Sequence, residues 1–569
     1  MPRPSRRTRW CLILILAAAA ALRLWDLSSG DMLGDEVAYG FRAIGLVDSF
    51  NDPRVQSTPV DWFDPSPPAW TRLSFHDHPP LVILIQHASI RLFGERLFAV
   101  RFPSVISGLG SILLTFLIGR RLFASDGVGL LSGAILALTL NHAFVSRVGL
   151  QESIVIFFIL ASSYCLVRSL GNVRFLYPAA AAAGFGLLAK YSAVVLAPVA
   201  LAHLLIYRRA YFRSRHLWLA LGLVILIVSP VILYNVFLWR AVGHFDLQLS
   251  YVAGQHPEVW AHSPGKQIGS VAERLGRFIP SLIAANSWLF LLSTLAAAAF
   301  GLAAVRRRSP NALRAELFLA LAIASILAFL VLAGPAPRFL TLPTPFFAIA
   351  SAALLIRARR RLPAAAFAGA LALLLGFELA YTVNNQILPY ARGPAPWLAS
   401  PLRYQTYRWG YAELDRWLTD ELAGKMPAYT FETKYRFVQN TQEADLARAR
   451  SLGRTPYPAL ILYDGNYELA AELWLYDRRL MYHGWPIASF DEYAGSARQP
   501  DGTVAIPANF QTVYFILQTN KAPDPAALAL TRGVDPLLIP NRRGEAAFLV
   551  YRFGNPAAAR PEGRGAGIF

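Results

Sequence analysis

Two adjacent carboxylates, Asp35 and Glu36, follow the first hydrophobic segment of the sequence. Neighbouring ionised carboxylates repel each other and are costly to place beside lipid, so their position needs an explanation. A carboxylate at the edge of a membrane can serve as a general base for an acceptor hydroxyl or amine. The alternative for this pair, taken alone, is an acidic and solvated loop start. The placement of the other polar residues decides between these interpretations.

Basic side chains recur at the ends of later hydrophobic segments, namely His78, Arg147, Lys190 and Arg338. Lys190 lies between two apolar segments with almost no loop, and Arg338 follows prolines that restrict its backbone. For Arg147 taken alone, an anchor that reaches the membrane surface is the alternative interpretation. Several charges at one depth are explained most simply by one shared anionic ligand. Such a set suits transfer from a phosphate-linked lipid, with the cations neutralising the departing phosphate.

A divalent metal is a second chemical possibility, because Asp77 lies between His76 and His78. The short spacing of these histidines is weak evidence for a metal, and structural, hydrogen-bonding histidines remain the alternative. The only two cysteines, Cys11 and Cys165, both lie in hydrophobic segments, so a disulfide framework or a cysteine-based metal site is excluded.

The composition indicates that these residues are held by an integral membrane protein. The 569 residues are 55% hydrophobic and only 16% charged, whereas about a quarter of the residues of a soluble protein are charged. The mean hydropathy is +0.39. The formal net charge of +19 is attributed to cytoplasmic loops rather than to nucleic-acid binding.

About eleven stretches approach the length of ~20 apolar residues that crosses a bilayer. The first is interpreted as an uncleaved span rather than a signal peptide, because further hydrophobic stretches follow it. The predicted spans are 10–25, 97–119, 127–146, 150–168, 175–190, 192–207, 217–239, 279–305, 315–334, 338–356 and 363–383.

The distribution of basic residues sets the predicted orientation. If the short apolar stretch 79–94 does not cross, all the arginine-rich clusters fall on one side, which the positive-inside trend makes cytoplasmic. We therefore predict that 79–94 is an interfacial helix on the outer face, with the N-terminus inside. The loop 26–96 and the C-terminal region would then lie outside. The polar residues described above would share that side, and we expect Asp35, His78 and Lys190 to converge in one pocket.

The predicted domains follow from a change in composition. Residues 1–383 form the transmembrane catalytic domain, 384–555 a less hydrophobic extracytoplasmic α/β domain, and 556–569 a disordered tail. Helical periodicity over 411–422 predicts a helix in the outer domain. Strands are predicted at 459–464, 503–507, 513–518 and 547–553.

Several motifs, taken in order, resemble the lipid-linked-sugar glycosyltransferases of the C superfamily (GT-C). The branch is glycosyltransferase family 39, which holds protein O-mannosyltransferases and aminoarabinose transferases. The motifs that carry the resemblance are GDE at 34–36, HPPL at 78–81, FGERLFAVRFPSVISG at 93–108, SRVGLQES at 146–153, GLLAKYS at 186–192, PRFLTLP at 337–343 and WGYAEL at 409–414. The resemblance implies a GT-C fold and a polyprenyl-phosphate-linked sugar donor.

The resemblance also implies individual roles. Asp35 would be the catalytic base or the carboxylate that positions the acceptor, with Glu36 in support. His78 would stand where relatives contact the lipid phosphate, and a histidine there makes phosphate binding pH-sensitive. Arg338 lies at a matching position, but its neighbour Phe339 lacks the hydroxyl found in relatives, which puts a direct phosphate contact there in doubt.

The resemblance extends to a possible metal site and to the cellular location. A divalent ion would use Asp77, with His256 or His262 as partners. The expected protein is a multi-pass glycosyltransferase of a bacterial plasma membrane that acts on an acceptor at the extracytoplasmic face: a protein hydroxyl, a lipid or an envelope glycan. The competing interpretations are a lipid-linked-sugar flippase, which predicts charges at mid-membrane depth and an internal repeat, and a non-catalytic assembly protein.

Overall fold

The computed structural model describes residues 3–32, 34–48, 58–63, 66–255, 257–260, 269–305, 310–403, 407–433, 435–465, 467–500, 504–522 and 524–559. The helices, in chain order, are α1 (Arg6–Leu24), α2 (Asp35–Gly45), α3 (Pro59–Trp62), α4 (Leu81–Phe93), α5 (Leu97–Phe123), α6 (Asp126–Leu138), α7 (Leu140–Val145), α8 (Gln151–Ser169), α9 (Leu176–Ala189), α10 (Leu196–Tyr207), α11 (Arg215–Val242), α12 (Leu247–Val252), α13 (Val271–Ala285), α14 (Trp288–Val305), α15 (Pro310–Ala333), α16 (Thr344–Ala358), α17 (Ala364–Gln386), α18 (Tyr411–Glu421), α19 (Arg436–Ser451), α20 (Arg478–His483), α21 (Phe490–Ala497) and α22 (Pro525–Leu530). The strands are β1 (Lys425–Pro427), β2 (Thr455–Tyr457), β3 (Ala459–Tyr463), β4 (Ile487–Ser489), β5 (Thr512–Gln518), β6 (Leu537–Pro540) and β7 (Ala546–Gly554).

The chain divides into two compact units. The first unit comprises Met1–Leu27, Pro53–Ser57 and Ala69–Tyr404. The second unit comprises Ser28–Asp52, Thr58–Pro68 and Gln405–Phe569.

The first unit is helical and strongly apolar. Within the described residues, six of its helices are long and apolar enough to cross a membrane: Leu97–Phe123, Gln151–Ser169, Arg215–Val242, Arg314–Ala333, Phe339–Ala358 and Ala364–Gln386. Further apolar helices are shorter, among them α6, α9 and α10. The chain is therefore a membrane protein, and the count of about eleven crossings stays a prediction.

Two of the predicted spans are interrupted in the structure. The stretch 127–146 is divided at Thr139, whose backbone is extended between α6 and α7. The stretch 279–305 is divided at Asn286 and Ser287, between α13 and α14. There, the Ser287 hydroxyl accepts a hydrogen bond from Phe290 N at 3.1 Å and so caps the start of α14. Hydropathy does not detect such breaks, because the interrupting residues are few and buried.

Helix α4 corresponds to the predicted interfacial helix 79–94. Its 13 residues give a length of about 20 Å, which is short of the ~30 Å hydrocarbon core of a bilayer. Helix α4 is bounded by Pro80 before it and by Gly94, with a positive φ of 83°, after it. Its length agrees with a helix that does not cross, and its place at the outer face stays a prediction.

The second unit is built on a five-stranded sheet with the order β4-β3-β5-β7-β6. Strand β3 pairs in parallel with β4 and β5, whereas β7 pairs antiparallel with β5 and β6. Successive residues of β5 alternate between two buried clusters, with Tyr514 and Ile516 in one and Phe515 and Leu517 in the other. Both faces of the sheet are therefore covered.

The strand predictions were partly wrong. Strands β3, β5 and β7 lie where strands were predicted, and α18 matches the predicted helix over 411–422. Of the predicted strand 503–507, residue 503 lies outside the described residues, and Val504 forms only an isolated bridge with Arg498. The short strands β4 and β6 were not predicted, because three or four residues carry too little alternation to be recognised.

The boundaries of the two compact units differ from those of the predicted domains. The segments 28–52 and 58–68 group with the C-terminal unit, whereas 384–404 groups with the helical unit. The reason is a set of non-local hydrogen bonds that sequence patterns do not encode. The Asp31 carboxylate accepts from Trp409 N and Ala412 N at 3.0 and 3.1 Å, and the Tyr435 hydroxyl donates to Asp61 at 2.6 Å. Of the predicted tail 556–569, residues 560–569 lie outside the described residues.

Asp31 provides a prediction for the pH dependence of stability. Burial, followed by the nearby charge of Glu413, raises the pKa of Asp31 from 3.8 to about 7, so the folded state binds more protons than the unfolded state between these values. The contribution of Asp31 to stability is therefore lost as the pH rises through this window, at up to about 1.4 kcal/mol per pH unit. We expect the unfolding temperature to fall from pH 5 to pH 8, and to fall less in Asp31→Asn. An Asp31→Asn protein with the full wild-type decrease would exclude Asp31 as a source.

Candidate active site

The first unit holds a buried carboxylate that is shared by two cations. Lys190 Nζ donates to Glu152 Oε1 at 2.5 Å, and Arg338 Nε lies 3.8 Å from the same oxygen. The Glu152 side chain is 1% exposed, whereas those of Lys190 and Arg338 are 15% and 31% exposed. Two cations thus converge on one carboxylate oxygen. Lysine and arginine side chains are the donors that bind phosphate groups in proteins, so the Lys190–Glu152–Arg338 cluster has the chemistry to contact an anion.

Breaks in helical structure place the members of this cluster. Glu152 lies in the first turn of α8, where the helix dipole favours a negative charge. Lys190 is the extended residue that ends α9, with φ and ψ of −163° and 138°. Arg338 precedes a short 3-10 helix, Phe339–Thr341, and follows Gly334, Pro335 and Pro337. Each cation is thus held by irregular backbone between apolar helices.

Phe339 has a role that the sequence did not reveal. The centre of its ring lies 4.4 Å from Lys190 Nζ and 5.1 Å from the Arg338 guanidinium carbon, so both cations contact the π face. The lack of a hydroxyl at Phe339 rules out a hydrogen bond from this side chain. Lys190 and Arg338 nevertheless lie close together, because both contact the Phe339 ring.

A second hydrogen-bond network fixes the backbone next to Lys190. The Tyr191 hydroxyl donates to Asp246 Oδ2 at 2.6 Å, and Asn235 Nδ2 donates to the same oxygen at 2.9 Å. Asp246 also caps α12 by accepting from Leu249 N at 2.8 Å. Burial raises the pKa of Asp246, and these hydrogen bonds oppose that shift. The network joins the residue that follows Lys190 to α11 and to the start of α12.

The His76–Asp77–His78 segment also belongs to the first unit. Asp77 Oδ2 lies 3.1 Å from His78 Nδ1, and both side chains are mostly buried. The His76 carbonyl accepts from Leu247 N at 2.8 Å, which ties this segment to the start of α12. The network of Asp246 and the predicted phosphate ligand His78 are therefore connected through α12. The other predicted metal ligands, His256 and His262, lie outside the described residues.

Asp35 and Glu36 lie in the second unit, in the first turn of α2. Gly34 precedes the helix with a φ of 56°, a conformation that favours glycine. The Tyr39 hydroxyl donates to Asp35 Oδ2 at 3.3 Å, one helical turn further on. Glu36 is buried. The predicted convergence of Asp35 with His78 and Lys190 stays a prediction.

Arg147 makes contacts that differ from its predicted role as a phosphate ligand. Its two terminal nitrogens donate to the carbonyls of Leu22, Arg23 and Trp25 at 2.6, 3.1 and 2.8 Å. These carbonyls close the C-terminal end of α1, where a cation is favourable. Burial and the nearby Arg101 lower the pKa of Arg147 to about 10, so it remains charged at neutral pH. The geometry favours a structural role for Arg147 over phosphate binding.

This role gives a prediction that separates the two interpretations. Arg147→Gln should lower the unfolding temperature markedly, because hydrogen bonds from a charged donor contribute about 1.5–3 kcal/mol each. The donor KM of the variant that remains folded should stay within about twofold of wild type, since a structural residue makes no ligand contact. Thermal unfolding and donor titration provide the two readouts. A raised donor KM with normal stability would restore Arg147 to the phosphate site.

Sequence reasoning placed Glu152 among the outer polar residues but gave it no role in the site. Its signal was present, since a carboxylate in the first turn of an apolar helix is costly unless it is paired. Its partners, however, stand 38 and 186 positions further along the chain. Only the folded arrangement identifies them.

Comparison with known proteins defines the class of fold. The structure of ArnT from Cupriavidus metallidurans bound to undecaprenyl phosphate matches with a TM-score of 0.53 at 15% identity, covering 97% of this chain and 100% of that one. ArnT is a GT-C glycosyltransferase, and at this identity the match establishes the fold alone. The chain is thus a membrane protein with the GT-C fold.

Comparison of the sequence with known proteins identifies a matching family and individual relatives. Residues 77–234 match the family described as dolichyl-phosphate-mannose-protein mannosyltransferase. YycA and YkcB of Bacillus subtilis (strain 168), which are named as candidate mannosyltransferases, are 29% and 25% identical over 39% and 40% of this chain. The matches cover only 31% and 30% of those relatives. The resemblance predicted from the motifs is confirmed.

Proposed function

We propose that this chain transfers a sugar from a polyprenyl-phosphate-linked donor to an acceptor on the extracytoplasmic face of a bacterial plasma membrane. The N-terminus is cytoplasmic in this proposal, and the second unit is extracytoplasmic. The observation that carries the proposal is the Lys190–Glu152–Arg338 cluster, which brings two partly exposed cations to one position in an apolar helical unit. A lipid-linked phosphate monoester or diester is an anion of the class that such a cluster would bind.

The cluster is suited to a phosphate that changes its charge during the reaction. Breaking the bond between the anomeric carbon and the phosphate oxygen leaves a full additional negative charge on the departing polyprenyl phosphate. Lys190 and Arg338 would stabilise that charge by electrostatic contact. Glu152 would keep both cations in place and limit their repulsion. His78 is assigned as a further phosphate contact.

The acceptor side of the reaction is assigned to the start of α2. The acceptor oxygen or nitrogen forms a bond to the anomeric carbon as the phosphate leaves from the opposite face, which inverts that centre. Asp35 takes the proton of the acceptor as general base, and Glu36 supports the charge and orientation of Asp35. The products are the glycosylated acceptor, free polyprenyl phosphate and one proton on Asp35.

The comparisons support the donor class. The matched family is described by a dolichyl-phosphate-linked mannose donor, and the structural neighbour holds undecaprenyl phosphate. A divalent metal stays a candidate cofactor, with Asp77, His256 and His262 as possible ligands, and no step of the mechanism passes through it. The flippase alternative is not favoured, because the cations of the cluster lie at breaks between helices and the matched family is one of transferases.

The test is a transfer assay with product analysis. Purified protein in liposomes would be given radiolabelled polyprenyl-phosphate hexoses and pentoses, one at a time, with an envelope extract as acceptor source. We expect one donor to lose its label to the acceptor fraction, with free polyprenyl phosphate formed in equal amount. Label that stays on the lipid but changes leaflet would support the flippase. Intact donor on its original leaflet throughout the panel would contradict both.

A further inference from the structure

The helix that carries Asp35 and Glu36 is part of the core of the second unit. All residues from Glu36 to Ala43 in α2 are buried. Helix α2 packs against α20 and against the short π-helix Leu473–Asp477, which precedes α20 directly. An isolated helix of 11 residues is marginal in water, so this packing determines whether α2 forms and how it is oriented.

Tyr482, near the end of α20, contacts α2 through both its hydroxyl and its ring. Its hydroxyl donates to the carbonyl of Phe41 at 3.0 Å, and the two rings lie 5.3 Å apart. Gly45, one turn beyond Phe41, leaves the space that the Tyr482 ring occupies. A Cβ at Gly45 would lie 2.4 Å from Tyr482 Cε1, a distance that real structures do not show. Tyr482 thus fits into a notch of α2 and is hydrogen-bonded to its backbone.

The position of this contact matters for Asp35. Phe41 is six residues from Asp35, which corresponds to about 9 Å along a helix. A tilt of α2 by about 6° at this contact would therefore move Asp35 by about 1 Å, and a misplacement of that size can cost about 10²-fold in rate. On the other side of Asp35, Asp31 is fixed by its hydrogen bonds to Trp409 N and Ala412 N. Asp35 lies between these two attachments.

We infer that Tyr482 is a positioning residue, through which the second unit sets the orientation of Asp35 for catalysis. The inference rests on the proposed function, because it requires Asp35 to act on the acceptor. It gives the C-terminal unit a role in the turnover of the enzyme beyond that of a structural cap. Tyr482 itself makes no contact with substrate in this account.

The experiment compares two tyrosines with the same kind of hydrogen bond. Tyr493 also donates from its hydroxyl to a backbone carbonyl, that of Ala505, at 3.0 Å, and it lies in α21. In Tyr482→Phe, we expect kcat to fall about tenfold with the donor KM within twofold of wild type, and amide hydrogen exchange in α2 to accelerate. In Tyr493→Phe, we expect a similar loss of thermal stability with kcat and exchange in α2 unchanged. Gly45→Ala should reproduce the effect of Tyr482→Phe on kcat in the protein that folds.

The possible outcomes separate this inference from the proposed function. If wild type shows no transfer with any donor, the proposed function fails, and the inference fails with it. If wild type transfers sugar but Tyr482→Phe and Tyr493→Phe have equal kcat values, only the positioning role of Tyr482 is overturned. This holds whether both kcat values are unchanged or both are lowered, since an equal loss would indicate a general effect of stability.

Discussion

Asp35→Asn is expected to abolish sugar transfer while the protein remains folded in the membrane. Asparagine has nearly the same shape as aspartate and can still accept from the Tyr39 hydroxyl, but it cannot take a proton from the acceptor. General-base catalysis contributes about 10²–10⁴-fold to a rate, so kcat should fall by at least that range. The measurement is the initial rate of transfer at saturating donor, together with thermal unfolding of the same preparation.

A control for the Asp35 variant is available in the same unit. Asp61 accepts from the Tyr435 hydroxyl at 2.6 Å, so Asp61→Asn also replaces a hydrogen-bonded carboxylate without a change in size. It should cost some stability and leave kcat close to wild type. Glu36→Gln should give a smaller loss than Asp35→Asn, because its assigned role is supportive. Normal transfer by Asp35→Asn protein would show that the general base is another group.

Lys190→Met is expected to produce the second large effect. The substitution removes the cation that contacts Glu152 most closely and leaves the phosphate with Arg338 and His78. Loss of one such electrostatic contact typically costs about 10²–10³-fold in rate. We therefore expect kcat/KM for the donor to fall by about that factor. The effect should appear in kcat as well as in KM, since the charge on the phosphate grows as the sugar leaves.

In Lys190→Met, the buried Glu152 carboxylate keeps only the more distant Arg338, which complicates the single variant. A double variant, Lys190→Met with Glu152→Gln, restores the charge balance, so any effect of an under-compensated buried carboxylate disappears. The double variant should fold better than Lys190→Met and remain as slow. Lys425→Met is the matched control, because Lys425 pairs with Glu421 at 2.8 Å in the second unit. Recovery of activity in the double variant would show that Lys190 serves only to neutralise Glu152.

The helices of the first unit could be predicted from the sequence, because an apolar stretch long enough to cross a bilayer has few alternatives to a helix. The same argument fails at Thr139 and at Asn286–Ser287, where one or two buried polar residues interrupt the helix. The hydropathy of a stretch is an average over many residues, so it does not show such breaks.

The sequence indicated which cations belong to the site, but not which side chains they contact. Charged residues at the ends of apolar segments indicated Lys190 and Arg338. Their common partner Glu152, the ring of Phe339 beneath them and the carbonyl contacts of Arg147 depend on tertiary structure. The sequence also assigned the first loop to the helical domain, whereas Asp31 and Phe41 bind to partners nearly 400 and more than 400 positions away. No local pattern encodes hydrogen bonds over such separations.

An experimental structure of the protein with a polyprenyl phosphate bound would show directly whether Lys190 and Arg338 hold the donor phosphate. We expect phosphate oxygens within hydrogen-bond distance, about 3 Å, of Lys190 Nζ and of the Arg338 guanidinium. Glu152 should still contact Lys190 from the other side. A phosphate group bound elsewhere in the protein, with Lys190 and Arg338 both remote from it, would contradict the account.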